Sequence, residues 1–460
     1  MRKNTSRRDI LRVGGAALAS TVCGRLAIPR PALASGSYVS GYKALVCVYL
    51  TGGNNGFNML VPTSAGAYAT YQTSRSNLAI AQNSLLALNG MASDGNTYGL
   101  HPSCPELQAL FNSGNVAVVC NVGPLIQPTT AAQAQSGSVA LPPQLFSHID
   151  QSNQWMTSAP LSQNLFGWGG RIADLFAANG VGANLAYCVN VGGSNTWQDG
   201  QTTLPYVLGT SGAPSLNVLG GLNSARQSVV NDLFTQAAAD PNLMVNAYQA
   251  VLANANSKVT IVTNALNTAG DLTTQFPNNS GDGGQSGDSN LDAQLHEVAR
   301  VIKANQQFGD ARQIFFTQIF GFDTHNGELA TQSRLLQYVS SYLNNFWNAM
   351  AEVGMQDDVT LFTMSDFGRT LGSNGDGSDH AWGNHQLVLG GAVKGGYYGT
   401  MPSLQIGGPD DFSLGRLVPT TATDQFAATL AQWFGVAPAD VPTVFPNLQK
   451  FGASNLGFLG

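Results

Sequence analysis

Hydrophobic positions along the chain follow two alternating patterns. Short unbroken apolar runs, rich in β-branched residues, lie at Lys43–Leu50 (KALVCVYL), Asn115–Val122 (NVAVVCNV), Asn184–Val191 (NLAYCVNV), Arg312–Phe320 (RQIFFTQIF), Asp358–Met364 and Gln386–Gly391 (QLVLGG). A run without polar interruption is the mark of a strand covered on both faces. Between the runs, apolar residues spaced three and four apart predict helices at about 102–110, 165–179, 224–239, 241–257, 259–268, 291–307, 329–354 and 423–433. In the 291–307 segment, for example, Leu295, Val298, Val301 and Ile302 share one face. Pro102 suits a helix start, and Gly180 and Gly435 suit helix ends. Strands alternating with helices predict an α/β fold whose parallel sheet is covered on both sides. Ligands in such sheets sit at the carboxyl ends of the strands.

The polar residues capable of chemistry collect at those ends. The segment Phe362–His385 (FTMSDFGRTLGSNGDGSDHAWGNH) leaves an apolar run with Asp366, crosses a Gly/Ser/Asn-rich loop, and closes on Asp379, His380 and His385. Gly321-Phe322-Asp323-Thr324-His325 follows another run. Carboxylates beside imidazoles suit zinc, manganese or iron, whereas carboxylates with waters suit magnesium or calcium. The competing reading is that these residues cap turns. After Lys43–Leu50 comes Thr51-Gly52-Gly53-Asn54-Asn55-Gly56-Phe57-Asn58, either a ligand-facing loop or a tight turn using asparagines. Leu145–Gln151 places Ser147, His148 and Asp150 within four residues, too close for a hydrolase triad drawn from separate loops. Phe276–Ser289 (FPNNSGDGGQSGDS) reads as a flexible loop.

Composition adds a low charge, 10% of residues, and 53 glycines, a balance that predicts long polar loops. The first 34 residues hold seven of the 20 basic residues and one of the 26 acids. Ser6-Arg7-Arg8-Asp9-Ile10-Leu11, the apolar run Val13–Val22 and Pro31-Ala32-Leu33-Ala34 resemble a bacterial twin-arginine export signal cleaved before Ser35. Its loss would leave 13 basic against 25 acidic residues, a net charge of −12. Such a chain has no electrostatic footprint for nucleic acid, and no later segment is a transmembrane span. Cys47, Cys104, Cys120 and Cys188 form no Cys-x-x-Cys pair, and the apolar runs around three of them, Cys47, Cys120 and Cys188, predict buried thiols.

These features together resemble a bacterial exported family known as domain of unknown function 1501, within the alkaline phosphatase and sulfatase-like superfamily. The resemblance rests on the twin-arginine signal, Leu50–Asn58, Ser147-His148, Gly321–His325, Ser365–Thr370 (SDFGRT) and Asp379-His380. Gly390-Gly391, Lys394–Gly396, Val418–Thr420 and Trp433–Gly435 extend it over the mature chain. It implies a three-layer α/β/α alkaline-phosphatase-like fold over residues 35–460, a single domain with a helical or loop insertion at about 192–290. It also implies a divalent metal at the strand ends, zinc or manganese in preference to magnesium or calcium. Asp323, His325, Asp366 and His380 would hold it, with Asp379 beside them. Asn55 stands where the family often has Asp. Ser147 is the candidate nucleophile, with Thr63 and Ser64 as rivals; Arg369 would steady an anion, and His148 or His385 would transfer a proton. Cys104-Pro105-Glu106 does not match the formylglycine motif of a type I sulfatase. The expected activity is metal-dependent hydrolysis or transfer of a phosphate or related anionic ester in the periplasm or outside the cell. The substrate would be an anionic small molecule or an envelope glycan or lipid. The alternative is a non-catalytic envelope protein that binds a glycan or protein partner.

Overall fold

The computed structural model describes residues 38–161, 166–213, 242–277 and 290–460, together with 228, 229 and 232. The twin-arginine segment and nearly all of the helix expected at 224–239 lie outside the described residues. So does most of the glycine-rich stretch at 276–289. Val39–Gly460 form one compact unit.

The strands are β1 (Lys43–Leu50), β2 (Leu60–Pro62), β3 (Leu86–Ala87), β4 (Tyr98–Leu100), β5 (Val116–Gly123) and β6 (Cys188–Asn190). They continue as β7 (Tyr206–Val207), β8 (Arg312–Ile319), β9 (Val359–Ser365), β10 (Asn384–Leu389), β11 (Gly396–Tyr398) and β12 (Thr421–Ala422). Nine of them form one sheet in the order β11-β5-β10-β9-β1-β8-β6-β7, with β12 also on β5. β2, β4 and β3 form a small second sheet.

Pairing in the main sheet is mostly parallel, with β10 running antiparallel to both β5 and β9. The run expected at Gln386–Gly391 is thus a strand, but a reversed one. Its physical cause is the connection: Asp366–Gly383 is a loop that departs from the end of β9 and re-enters beside it, without the crossover a parallel pair requires.

Both faces of the sheet are covered, which explains the unbroken apolar runs. Ala44, Val46, Val48 and Leu50 of β1 pack into a core with Leu107, Leu295, Val298, Leu336 and Leu343. Those partners come from helices Pro105–Asn112, Leu291–Lys303 and Glu328–Glu352. On the opposite face, Tyr49, Phe316 and Phe362 meet an aromatic layer of Trp168, Trp197 and Phe426. Trp168 opens the helix Trp168–Ala178, and Phe426 lies on Thr423–Phe434. Each such buried side chain stabilises the fold by about 1.5–3 kcal/mol. The molecule is therefore three-layered, α/β/α.

Some elements differ from expectation. The strand expected at Asn184–Val191 shrinks to three residues, and the two helices expected at 241–257 and 259–268 are one, Leu243–Ala269. Two helices of ten or more residues were not foreseen, Ala65–Arg75 and His148–Thr157. Cys47, Cys104, Cys120 and Cys188 are buried free thiols. Among the described residues no helix is long and apolar enough to cross a membrane.

Candidate functional site

Three adjacent strands deliver the site. In the register of β1, β8 and β9, Leu50 lies opposite both Ile319 and Ser365, so the loops after them spring from one level. Gly52 makes their close approach feasible. Its φ is +115°, and a Cβ there would stand 2.4 Å from the Asp323 amide nitrogen. Its own N–H donates to Asp366 Oδ1 at 3.2 Å.

Asp323 is the centre. His380 Nε2 and His325 Nε2 each lie 3.1 Å from its Oδ1, and His148 Nε2 lies 3.4 Å from its Oδ2. The two Nε2 atoms of His325 and His380 are 2.9 Å apart. In each ring the other nitrogen is engaged: His148 Nδ1 with Asp366 Oδ2 at 2.6 Å, His325 Nδ1 with Asp379 Oδ1 at 3.2 Å, and His380 Nδ1 with the Phe146 carbonyl at 2.8 Å. An Nδ1 that faces a carboxylate or carbonyl carries the proton, which leaves a lone pair on Nε2. Three lone pairs are thereby turned toward one carboxylate.

Each histidine is aimed by local structure. His148 is the first residue of its helix, whose N-cap is Ser147. Phe146, just before, has a φ of +72°, a left-handed conformation that a bulky residue adopts at a cost. Its carbonyl is the one that accepts from His380. Arg369 and His380 form an isolated bridge across the returning loop. Gly377 lets that loop pass His325, since a Cβ there would stand 2.3 Å from the His325 carbonyl carbon.

The electrostatics follow from these contacts. Hydrogen bonding to Asp366 raises the His148 pKa, against the opposing effect of burial. Burial would raise the Asp323 pKa, but its contact with the His380 ring, the hydrogen bond from Arg369 and the guanidinium charge outweigh it and hold the group well below the usual carboxylate range. Arg369, with no side-chain exposure, donates from Nη1 to Asp323 Oδ1 at 3.0 Å. A hydrogen bond from Asn374 leads in lowering the Asp379 pKa.

The donor set fits a divalent cation. Ring nitrogens of His148 and His380 and an oxygen of Asp323 lie within 4.8 Å of one another. Within that set His148 Nε2 lies 3.4 Å from one Asp323 oxygen and His380 Nε2 lies 3.1 Å from the other, each near the edge of about 3.3 Å in a tetrahedron with bonds of about 2.0–2.1 Å. An imidazole-rich set suits zinc-like ions better than magnesium or calcium.

Several expected site residues stand elsewhere or act indirectly. Asp366 holds a ligand-type histidine instead of facing the centre, and Asp379 does the same for His325. Asn55 caps the short helix Gly56–Met59 through Oδ1 and donates from Nδ2 to Glu328 at 2.5 Å. Both ends of its amide are thus engaged in this arrangement. Ser147 Oγ accepts from the Asp150 amide and donates to its carboxylate at 2.6 Å, so it serves as a helix cap. Thr63 and Ser64 contact Thr97. His385 is buried against Phe57, its Nδ1 accepts from the Asn121 amide, and burial pulls its pKa down to about 3. That imidazole stays neutral and has no route to a leaving group. His148, expected to move protons, is instead the histidine grouped with Asp323 and His380. The Phe146 carbonyl and the Gly52 amide were not foreseen, because backbone groups carry no signature of their own.

A hollow of about 490 Å³ opens beside the cluster, with His148, Asp323 and Asp366 in its wall.

Among solved structures, the chain is similar to a 2-O GAG sulfatase, at 13% identity over 88% of this chain and 75% of that one, with a TM-score of 0.33. It is also similar to a protein in the alkaline phosphatase superfamily from Vibrio parahaemolyticus, at 12% identity over 94% and 76%, TM-score 0.33. A third is the C-terminal periplasmic domain of EcEptC from Escherichia coli in complex with Zn, at 11% identity over 79% and 77%, TM-score 0.31. No curated protein matches the chain in sequence. The family model described as protein of unknown function (DUF1501) matches residues 42–440, and the chain belongs to that family.

Proposed function

We propose that this is an exported, metal-dependent hydrolase or transferase acting on a phosphate or related anionic ester. The observation that carries the reading is the convergence of the His148, His325 and His380 Nε2 atoms on Asp323, each ring fixed from behind. Lone pairs packed this closely repel one another unless a proton or a cation lies between them.

His148, Asp323 and His380 would hold the ion, zinc or manganese in preference to magnesium or calcium. Three protein ligands leave a position open, as a reaction requires. When bound, the ion supplies Lewis acidity and the local positive charge that an anionic ester needs beside Asp323, Asp366 and Asp379. Arg369 Nη1 restrains Asp323 and keeps it ionised. His325 has 44% of its side chain exposed and Asp379 at its back, so its Nε2 is placed to give or take a proton. This dyad takes the part first assigned to His385 or His148.

Elemental analysis of the purified chain tests the site. About one equivalent of zinc or manganese is expected, lost in His148→Ala/His380→Ala. A folded native chain that binds neither ion would overturn the reading. Metal-loaded protein should then hydrolyse a phosphate or sulfate ester, and His325→Ala should lose turnover while retaining the ion.

A second reading is favoured by the hydroxyls. Ser147, Thr63 and Ser64 are each committed to local hydrogen bonds, as in a protein that keeps the site but binds an envelope glycan or protein. Full metal occupancy with no turnover of any ester, and one stoichiometric partner recovered, would support it. Export rests on Arg7-Arg8; replacing both with lysine should retain the precursor in the cytoplasm, and unchanged export would remove this part of the proposal.

A further inference from the structure

We infer that the hollow beside the cluster is a subsite for the uncharged part of the substrate, and that this part is apolar, an aryl or alkyl group and not a polyol. The inference rests on the anionic-ester reading and deepens it.

The hollow is continuous with the candidate metal cluster, sharing His148 and Asp323 with it. An ester whose anionic group sat at the cluster would therefore extend its remaining substituent into this space. At about 490 Å³ the space accommodates a ring or a short chain.

The chemistry of the wall selects the substituent. Ile149 follows His148 in the helix and is 75% exposed; Phe320 follows β8, three residues before Asp323, and is 41% exposed. Both line the hollow, and most of its accessible surface is carbon. Two of the polar acceptors there are already engaged. Ser152 Oγ accepts from the Tyr49 hydroxyl at 2.7 Å, and Asn153 Oδ1 accepts from the Thr196 hydroxyl at 3.2 Å. A polyol would have to compete with those bonds. An aryl or alkyl group needs only the apolar wall, and covering it removes Ile149 and Phe320 from water.

Calorimetric binding of methylphosphonate and phenylphosphonate to the zinc-loaded full chain separates the two levels of the argument. Phenylphosphonate is expected to bind about tenfold more tightly, the ratio for one ring face leaving water against an open wall. Ile149→Ser/Phe320→Ser should reduce the advantage to about twofold or less and leave methylphosphonate binding unchanged. Ile149→Ser alone, at an exposed position, should give part of the same loss and guards against misfolding of the double variant. Equal affinities in the native chain, or an advantage that survives the double variant, would overturn the subsite. Binding of neither phosphonate by zinc-loaded protein would instead refute the anionic-ester reading, and the subsite with it.

Discussion

Arg75→Met is expected to destabilise the fold by about 3–5 kcal/mol and to loosen the candidate metal cluster with it. The side chains of Arg75 and Glu328 have no exposure, and Nη2 donates to Glu328 Oε1 at 2.8 Å. Arg75 Nε donates to Asn58 Oδ1 at 2.9 Å, and Nη1 donates to the carbonyls of Thr370 at 2.7 Å and Leu371 at 3.1 Å. Glu328 also accepts from Asn55 Nδ2 and from the Ser378 hydroxyl. The pair thus ties three segments together: the loop after β1, the start of helix Glu328–Glu352, and the returning loop that carries Asp379 and His380. Methionine replaces the volume but leaves the Glu328 charge buried with two neutral donors. Breaking a buried pair from one side leaves an uncompensated charge, whereas removing both charges is often close to neutral. Arg75→Met/Glu328→Gln should therefore recover about 2–3 kcal/mol of the loss. Urea unfolding at constant slope is the assay, because a chain of this length shifts its melting point by only about 1 °C per kcal/mol. Zinc affinity, measured on both variants, should weaken in Arg75→Met and partly return in the double variant. A double variant no more stable than Arg75→Met, or a single variant within about 1 kcal/mol of native, would refute the charge argument.

Three further outcomes follow from individual contacts. Asp366→Asn keeps an acceptor for the Gly52 amide but weakens the hold on His148 Nδ1, so zinc affinity should fall by about 10–100-fold; unchanged affinity in titration calorimetry would refute that role. Burial lowers the pKa of His385 to about 3 and of His101 to about 4, while the unfolded chain takes up these protons near pH 6.5. Their contribution is complete above pH 6.5 and falls by about 1.4 kcal/mol per pH unit for each histidine as the pH drops toward the folded values; His385→Gln should flatten that slope in urea titrations, and an identical slope would count against it. Burial raises Asp424 to about 7, so its contribution is complete below the unfolded value near pH 4 and is lost as the pH rises through 7. Asp424→Asn should accordingly match the native chain at pH 4 and exceed it at pH 8, by at most about 4 kcal/mol; equal stability at both pH values would refute the burial argument.

The sheet was legible because burial on both faces forces an unbroken apolar run, as β1, β5, β8 and β9 show to within a residue or two. Asp323, His325, Asp366 and His380 could be picked out as candidates because charged residues are few in this chain and these stand in loops that follow apolar runs; which of them face the centre could not. The direction of β10 was not legible, since an apolar run reads the same either way. Nor was the helix Ala65–Arg75, whose inward residues Tyr68, Tyr71 and Arg75 are held by distant partners and not by a clear apolar stripe.

The division of roles among site residues belongs to the tertiary structure alone. His148 arrives from a helix on a separate part of the chain to meet Asp323 and His380, while His385, five residues beyond His380, turns into the core. Asn55 and Ser147 have side chains suited to ligand or nucleophile duty, yet each spends its hydrogen bonds on a helix start. A side chain's chemistry lists what it can bond. Which bond it makes depends on the partner within about 3 Å, and for these residues that partner is set by the packing of loops far apart in sequence.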